Sequence, residues 1–325
     1  MENMSFLMNA AEPWVVYRTM IDLLEFDEDD PQVRKAREDM LAHPLVKDLM
    51  EELKAWPGEV ISSHKSAGQH YHKLSFLADL GLTKGDDDLQ EIGARILAHR
   101  SKEGLIQLGM NIPKHFGGTG EETWAWALCD APLLMYSVVK MGLAGEEEYR
   151  EGVDYLLGLV RDNGWPCAVS EELGKFRGPG KKGDPCPYVN LIMLKLLTLF
   201  EEHQDSRKTR IGVECLLNLW EKSKEEHPYM FFMGTDFRKL KAPFIWYDLL
   251  HVAEVLSHYD IALKDKRFIG MVDLINGRAD EQGLFTPESE WKAWKGWDFG
   301  QKKKPSPWLT FLVNRINKRV RAIQK

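Results

Sequence analysis

Residues 211–219 read IGVECLLNL, and the same local design returns as EIGARIL (91–97), EGVDYLLGL (151–159) and IGMVDLING (269–277). Their glycines, Gly93, Gly152, Gly212 and Gly270, are 59, 60 and 58 residues apart. A glycine inside a helix costs about 1 kcal/mol against alanine, so one that recurs at a near-constant period implies a packing reason such as close helix contact. A fixed period is also the mark of a repeat architecture.

A second series interleaves with the first: LCDAPLLMYSVVKMGL from Leu128, DPCPYVNLIMLKLL from Asp184, APFIWYDLLHVAEVL from Ala242 and PSPWLTFLVNRIN from Pro305. Each opens on proline, which suits a first helical turn because its missing N–H has no partner there. Each then runs almost wholly apolar, the pattern of a buried helix. His70–Leu82 and Pro13–Phe26 extend the series backwards, giving six inner helices, while the charged segments between them fit an outer ring. No strand-like alternation stands out. The expectation is an all-α chain, one domain over 1–325, built as an (α/α)6 toroid of six helical hairpins with the last inner helix closing on the first. Connectors of roughly 20 residues precede the later inner helices; they exceed ordinary loop length and crowd one rim.

Composition narrows the function. Net charge is −7 with 44% hydrophobic residues, so the chain as a whole offers no nucleic-acid footprint. The apolar runs are too short for a membrane span. The N-terminus lacks a signal-peptide pattern, and four cysteines make no disulfide framework, which points to the cytoplasm. Eleven tryptophans and nine tyrosines suggest a lined cavity, with a well-packed core as the alternative. Residues 1–160 carry an excess of 13 acidic side chains and residues 161–325 an excess of 6 basic ones, which directs the search for an anionic ligand to the second half.

The repeat layout resembles the terpenoid cyclase/protein prenyltransferase superfamily, the squalene-hopene cyclase-like α/α toroids with a Gly-aromatic turn before each inner helix. Here that turn is Gly164-Trp165, Pro228-Tyr229 and Gly283-Leu284-Phe285. The resemblance implies a hydrophobic, isoprenoid-like ligand with an anionic, diphosphate-type end in a central aromatic cavity. Its motifs are only partly present. Asp27-Glu28-Asp29-Asp30 matches a DxDD acid string, but leads into Pro31 and reads as a helix cap. Gln282-Gly283 is a fragment of the QW signature.

The prenyltransferase zinc pattern, Asp-x-Cys plus a later His, implies Asp184, Cys186 and His251, although the family's histidine position aligns near Ile245. Asp184 as a cap and Cys186 as a core thiol is the other reading. For catalysis the candidates are Asp184, Asp130 and Cys186, since Cys129-Asp130 repeats the arrangement one period earlier.

Cations cluster before three inner helices: Lys175, Arg177, Lys181 and Lys182, then Arg238, Lys239 and Lys241, then Lys302, Lys303 and Lys304. Beside unsatisfied N–H groups they would form an anion-binding rim, unless they are simply solvated. The ligand-binding set is Lys181, Lys182, Arg238, Lys241, Trp165, Tyr188, Trp246, Tyr247 and Trp308. The histidines of HKSAGQHYHK (64–73) read as structural in the main. Two other functions remain open: a carbohydrate-active (α/α)6 enzyme using Asp130, Asp184, Asp236 and Asp248, and a non-catalytic interaction scaffold.

Overall fold

The computed structural model describes residues 3–178 and 180–323. The chain is mainly α. It forms α1 (Met4–Met8), α2 (Pro13–Arg18, continued as a π turn over Thr19–Leu23), α3 (Pro31–Ala42), α4 (Pro44–Leu53), α5 (His70–Leu80) and α6 (Leu89–Leu97). Strands β1 (Leu108–Asn111) and β2 (Glu122–Ala125) follow, then α7 (Ala131–Lys140), α8 (Glu146–Gly158), α9 (Pro187–Leu197), α10 (Glu201–Gln204) and α11 (Arg207–Glu221). The chain ends with α12 (Thr235–Arg238), α13 (Leu249–Leu256), α14 (Asp260–Leu263), α15 (Lys266–Asn276) and α16 (Pro307–Ile323). It divides into two compact units, one continuous over Met50–Phe232 and one made of Met1–Leu49 together with Met233–Lys325.

In the continuous unit the buried helices α5, α7 and α9 lie side by side, with α8 backing α7 and α11 backing α9. Pro187 opens α9, and every residue of that helix is buried. The recurrent glycines sit where α6, α8 and α11 come closest to their neighbours. A methyl on Gly212 would stand 2.7 Å from the Trp165 ring, one on Gly152 2.8 Å from the Gly104 carbonyl, and one on Gly93 3.1 Å from Leu143.

In the discontinuous unit α13 packs on α15 and α16, and α16 packs on α2 and its π turn. Thus the Pro307 helix meets the Pro13 segment. Asn3 stitches this seam, donating to the Gly283 carbonyl at 2.8 Å and accepting from Asn314 at 3.1 Å. Asp30 caps α3 by accepting the Gln32 N–H at 2.7 Å, so the acidic Asp27–Asp30 run does serve as a helix start. Gly270 breaks the glycine rule, for nothing lies within 4 Å of its missing methyl.

Two expectations need correction. A two-stranded antiparallel sheet pairs Leu108–Asn111 with Glu122–Ala125; at four residues each, the strands are too short for alternation to show. And the helix expected from Pro243 begins at Leu249. The Asp248 carboxylate accepts the His251 N–H at 3.0 Å and fixes the start there, leaving Trp246 and Tyr247 in the connector.

Candidate functional site

In the continuous unit, the N-terminal ends of α7 and α9 carry the sequence-marked acid and thiol. Asp130, fully buried, immediately precedes α7. Its Oδ2 lies 2.7 Å from His64 Nε2, and Oδ1 accepts the Ala127 N–H at 3.4 Å. Burial pushes the Asp130 carboxyl up, and the His64 contact only partly offsets this. The His64 carbonyl accepts from the Tyr71 hydroxyl at 2.7 Å and from His72 Nε2–H at 2.9 Å, which fixes the loop carrying His64. Burial pushes His72 down to about 3, so it is neutral and structural.

Cys186 is the N-cap residue of α9 and is buried. The Cys129 thiol donates to its sulfur, which also accepts the backbone N–H groups of Val189 and Tyr188; together these hold Cys186 below the ordinary thiol value. Donation to Cys186, reinforced by burial, pushes Cys129 well up. Cys167, half-buried, accepts the Gly178 N–H at 3.2 Å, and burial raises it to about 11.

Asp184 stands apart from this pair. It is half-buried and its carboxylate caps a turn by accepting the Lys181 N–H at 3.3 Å. Lys181 and Lys182 are exposed. Trp165 and Tyr188 are fully buried core residues. The Trp165 Nε1–H donates to Leu156 O at 2.8 Å, and its backbone N–H donates to the Asn190 side chain at 3.0 Å.

The discontinuous unit holds the other half of the marked residues. Lys241 is buried, 4% exposed; its Nζ donates to Asp236 at 3.3 Å and lies over the Trp291 ring, 5.1 Å from its centroid. Asp236 itself is largely solvent-facing. Asp248, next to this lysine, is fully buried, and its Oδ2 has no hydrogen-bond partner among the described residues. Burial pushes its carboxyl up to about 7, with the Lys241 charge pulling the other way. His251 Nδ1–H donates to the Trp246 carbonyl at 3.0 Å, and the ring stacks on Phe244 at 4.7 Å. Tyr247 packs against Phe237 at 5.1 Å. Arg238 Nε donates to Met233 O at 3.2 Å rather than facing a ligand.

At the start of α16, Asp298 Oδ2 accepts from the Trp308 N–H at 3.0 Å and from the Ser306 hydroxyl. Burial raises Asp298 to about 6. Trp308 is buried and stacked on Phe311. An open groove of about 580 Å³ lies in the same unit, lined by Ala10, Pro13, Val16, Met20 and Lys35 among others; none of the marked residues faces it.

Among the described residues no group of three or more His, Cys, Asp or Glu side chains is placed to hold a metal ion. The residues proposed for zinc are engaged otherwise: Asp184 with its turn, Cys186 with Cys129, and His251 with Trp246. Sequence reasoning missed His64 as a partner of Asp130 and Asp298 as a buried acid. The signal available for His64 was its place in a connector before an inner helix, where the other marked residues also lie.

No family model matches the sequence, and no curated protein matches it. Among solved structures, a protein from Actinoplanes is similar over 96% of this chain and 90% of its own, at 11% identity and a TM-score of 0.42. Among the described residues no helix is long and apolar enough to cross a membrane.

Proposed function

We propose that this chain binds a small molecule with an apolar body and an anionic end, in the manner of a terpenoid cyclase or prenyltransferase, on an (α/α)6 toroid. The carrying observation is Lys241. A lysine this buried needs a compensating anion, yet its carboxylate partner Asp236 is largely exposed to solvent. The neighbouring Asp248, held near 7, is largely protonated at mildly acidic pH and then supplies no charge. An incoming phosphate or carboxylate would take the Asp236 place beside Trp291, with Phe237 and Tyr247 nearby for the apolar body. Asp248 is the proton donor in reach of that site, and Asp130 with His64 forms a second acid–base pair in the other unit.

Calorimetric titration with farnesyl diphosphate and with inorganic diphosphate tests this reading. Lys241→Met should weaken the prenyl ligand at least tenfold, while Asp236→Asn, which frees the ammonium, should tighten it. Wild-type protein that binds neither probe, or equal affinity in Lys241→Met, overturns the proposal. A carbohydrate-active enzyme is the second reading, favoured by two acids among tryptophans, Asp248 and Asp298, whose carboxyls burial raises to about 7 and about 6. Hydrolysis of oligosaccharides without prenyl-diphosphate binding would establish it.

A further inference from the structure

We propose that the loop tips of the continuous unit form a docking surface for an anionic lipid bilayer. Among the described residues, Phe116, Met230 and Phe232 are the most exposed large apolar side chains, at 62%, 65% and 61%, and all three belong to this unit. One stretch of chain joins their loops. The Lys175 N–H donates to the Gly117 carbonyl at 3.0 Å, which ties residues 174–184 to the turn after Phe116. On the other side the Tyr229 hydroxyl donates to the Asp184 carbonyl at 3.4 Å. The Tyr229 ring lies against Gly178 and Gly180, where added methyls would stand 3.1 and 2.8 Å from it. Tyr229 and Met230 take successive left-handed backbone conformations, φ 52° and 61°, which non-glycine residues adopt only at a cost. Tyr229 stays buried by this turn while Met230 points outward. His115 and His227 brace the two phenylalanine rings at 4.1 and 4.5 Å without burying them.

Charge decides what these tips meet. The joining stretch 174–183, GKFRGPGKKG, carries Lys175, Arg177, Lys181 and Lys182 and no carboxylate, and residues 112–120 add Lys114 without one. All five cations are exposed. Of the flanking acids, Asp184 is engaged with the Lys181 N–H and Glu171 is paired with Lys102. The strip thus runs against the net charge of −7 that the whole chain carries. Exposed apolar side chains grouped on one surface mark an interaction site. Apolar tips sink into the boundary between headgroups and acyl chains, while neighbouring lysines and arginines are drawn to anionic headgroups. Tips that project from separate loops need no complementary pocket, which favours a fluid surface over a folded partner.

The test is co-sedimentation of the intact chain with vesicles of phosphatidylcholine alone and of phosphatidylcholine with ~30% phosphatidylserine. The mixed vesicles should bind at least about tenfold more tightly, and about 0.5 M sodium chloride should release the protein. Lys175→Glu, Lys181→Glu and Lys182→Glu together should weaken binding by about tenfold or more. Phe116→Ser with Phe232→Ser should weaken it about fivefold, with thermal unfolding unchanged because both rings are exposed. The same charge change in the discontinuous unit, at the exposed Lys302, Lys303 and Lys304, should leave binding within about twofold. No binding to the mixed vesicles at low salt, unchanged binding in either loop-tip variant, or an equal loss from the Lys302–Lys304 variant would overturn the proposal.

Discussion

The buried acids at the two ends of the inner helices make an instructive contrast. Near the helix C-termini, Asp79 on α5 is clamped by Lys195 of α9 at 2.8 Å and by Lys140 and the Tyr136 hydroxyl of α7 at 3.3 and 2.6 Å. In the other unit Glu254 of α13 is clamped by Arg315 and Arg319 of α16 at 2.8 and 3.0 Å, and Arg315 reaches on to Asp22 in the π turn at 3.1 Å. Burial pushes both carboxyls up, but the facing cations overcome it and hold both below the ordinary value. At the N-terminal ends, Asp130 and Asp248 are fully buried and Asp298 half-buried, and all three lie above it, because there burial outweighs the groups that favour the charged form. The carboxylate is thus spent at one end on tying helices together and held at the other with a raised affinity for its proton.

The clamps themselves differ. An arginine fork can hold two carboxylates at once, whereas a lysine is a point charge and needs the tyrosine hydroxyl to complete the shell. Lys195→Met should therefore have the largest effect. It leaves Asp79 buried with the more distant Lys140, costing about 3–5 kcal/mol in urea unfolding. A loss under 1 kcal/mol would mean that the clamp is not what holds this end.

Next comes the pH response of the unclamped end. A carboxyl whose folded value is raised binds more protons folded than unfolded, so stability falls as pH climbs from about 4 to about 7. Asp248→Asn removes that loss and should raise stability at pH 8 relative to pH 5 by on the order of 2–4 kcal/mol. The clamped acids have the opposite sign: their contribution is present above about 4 and is lost only as pH falls through their lowered folded values. A parallel pH profile in Asp248→Asn and wild type would erase the distinction between the two ends.

Arg319→Met leaves Glu254 with Arg315 and should cost about 1–2 kcal/mol, less than Lys195→Met. The reverse order would break the contrast between fork and point charge. The smallest effect belongs to Gly270→Ala. With open space around the missing methyl, it should stabilise by about 0.5–1 kcal/mol, while Gly212→Ala, pressed on Trp165, should destabilise.

The inner helices were legible because proline starts and apolar runs are local signals, and the glycine period located the outer helices wherever the contact is tight. Gly270 kept the period without the contact, so spacing alone overstated its role. Lys195 and Asp79 were passed over, since one charge in an apolar helix has no visible partner until helices far apart in sequence are brought together. Trp246 and Tyr247 read as helical from the proline at 243, whereas the Asp248 cap five residues on sets the helix start. The site was legible in residue type at Asp130, Cys186 and Lys241. Its pairing was not, because His64, Cys129 and Asp236 are partners chosen by folding.

Asn3 bonded to Gly283 and Asn314 closes one of the longest loops available to this chain. The unit it seals is assembled from two stretches of sequence with residues 50–232 between them. Contacts so remote carry a high loop-closure cost and slow the search for the native state. Collapse of the intervening stretch draws its two ends nearer and shortens that search. The continuous unit, whose contacts are nearer in sequence, is thereby expected to fold first and the terminal seam last.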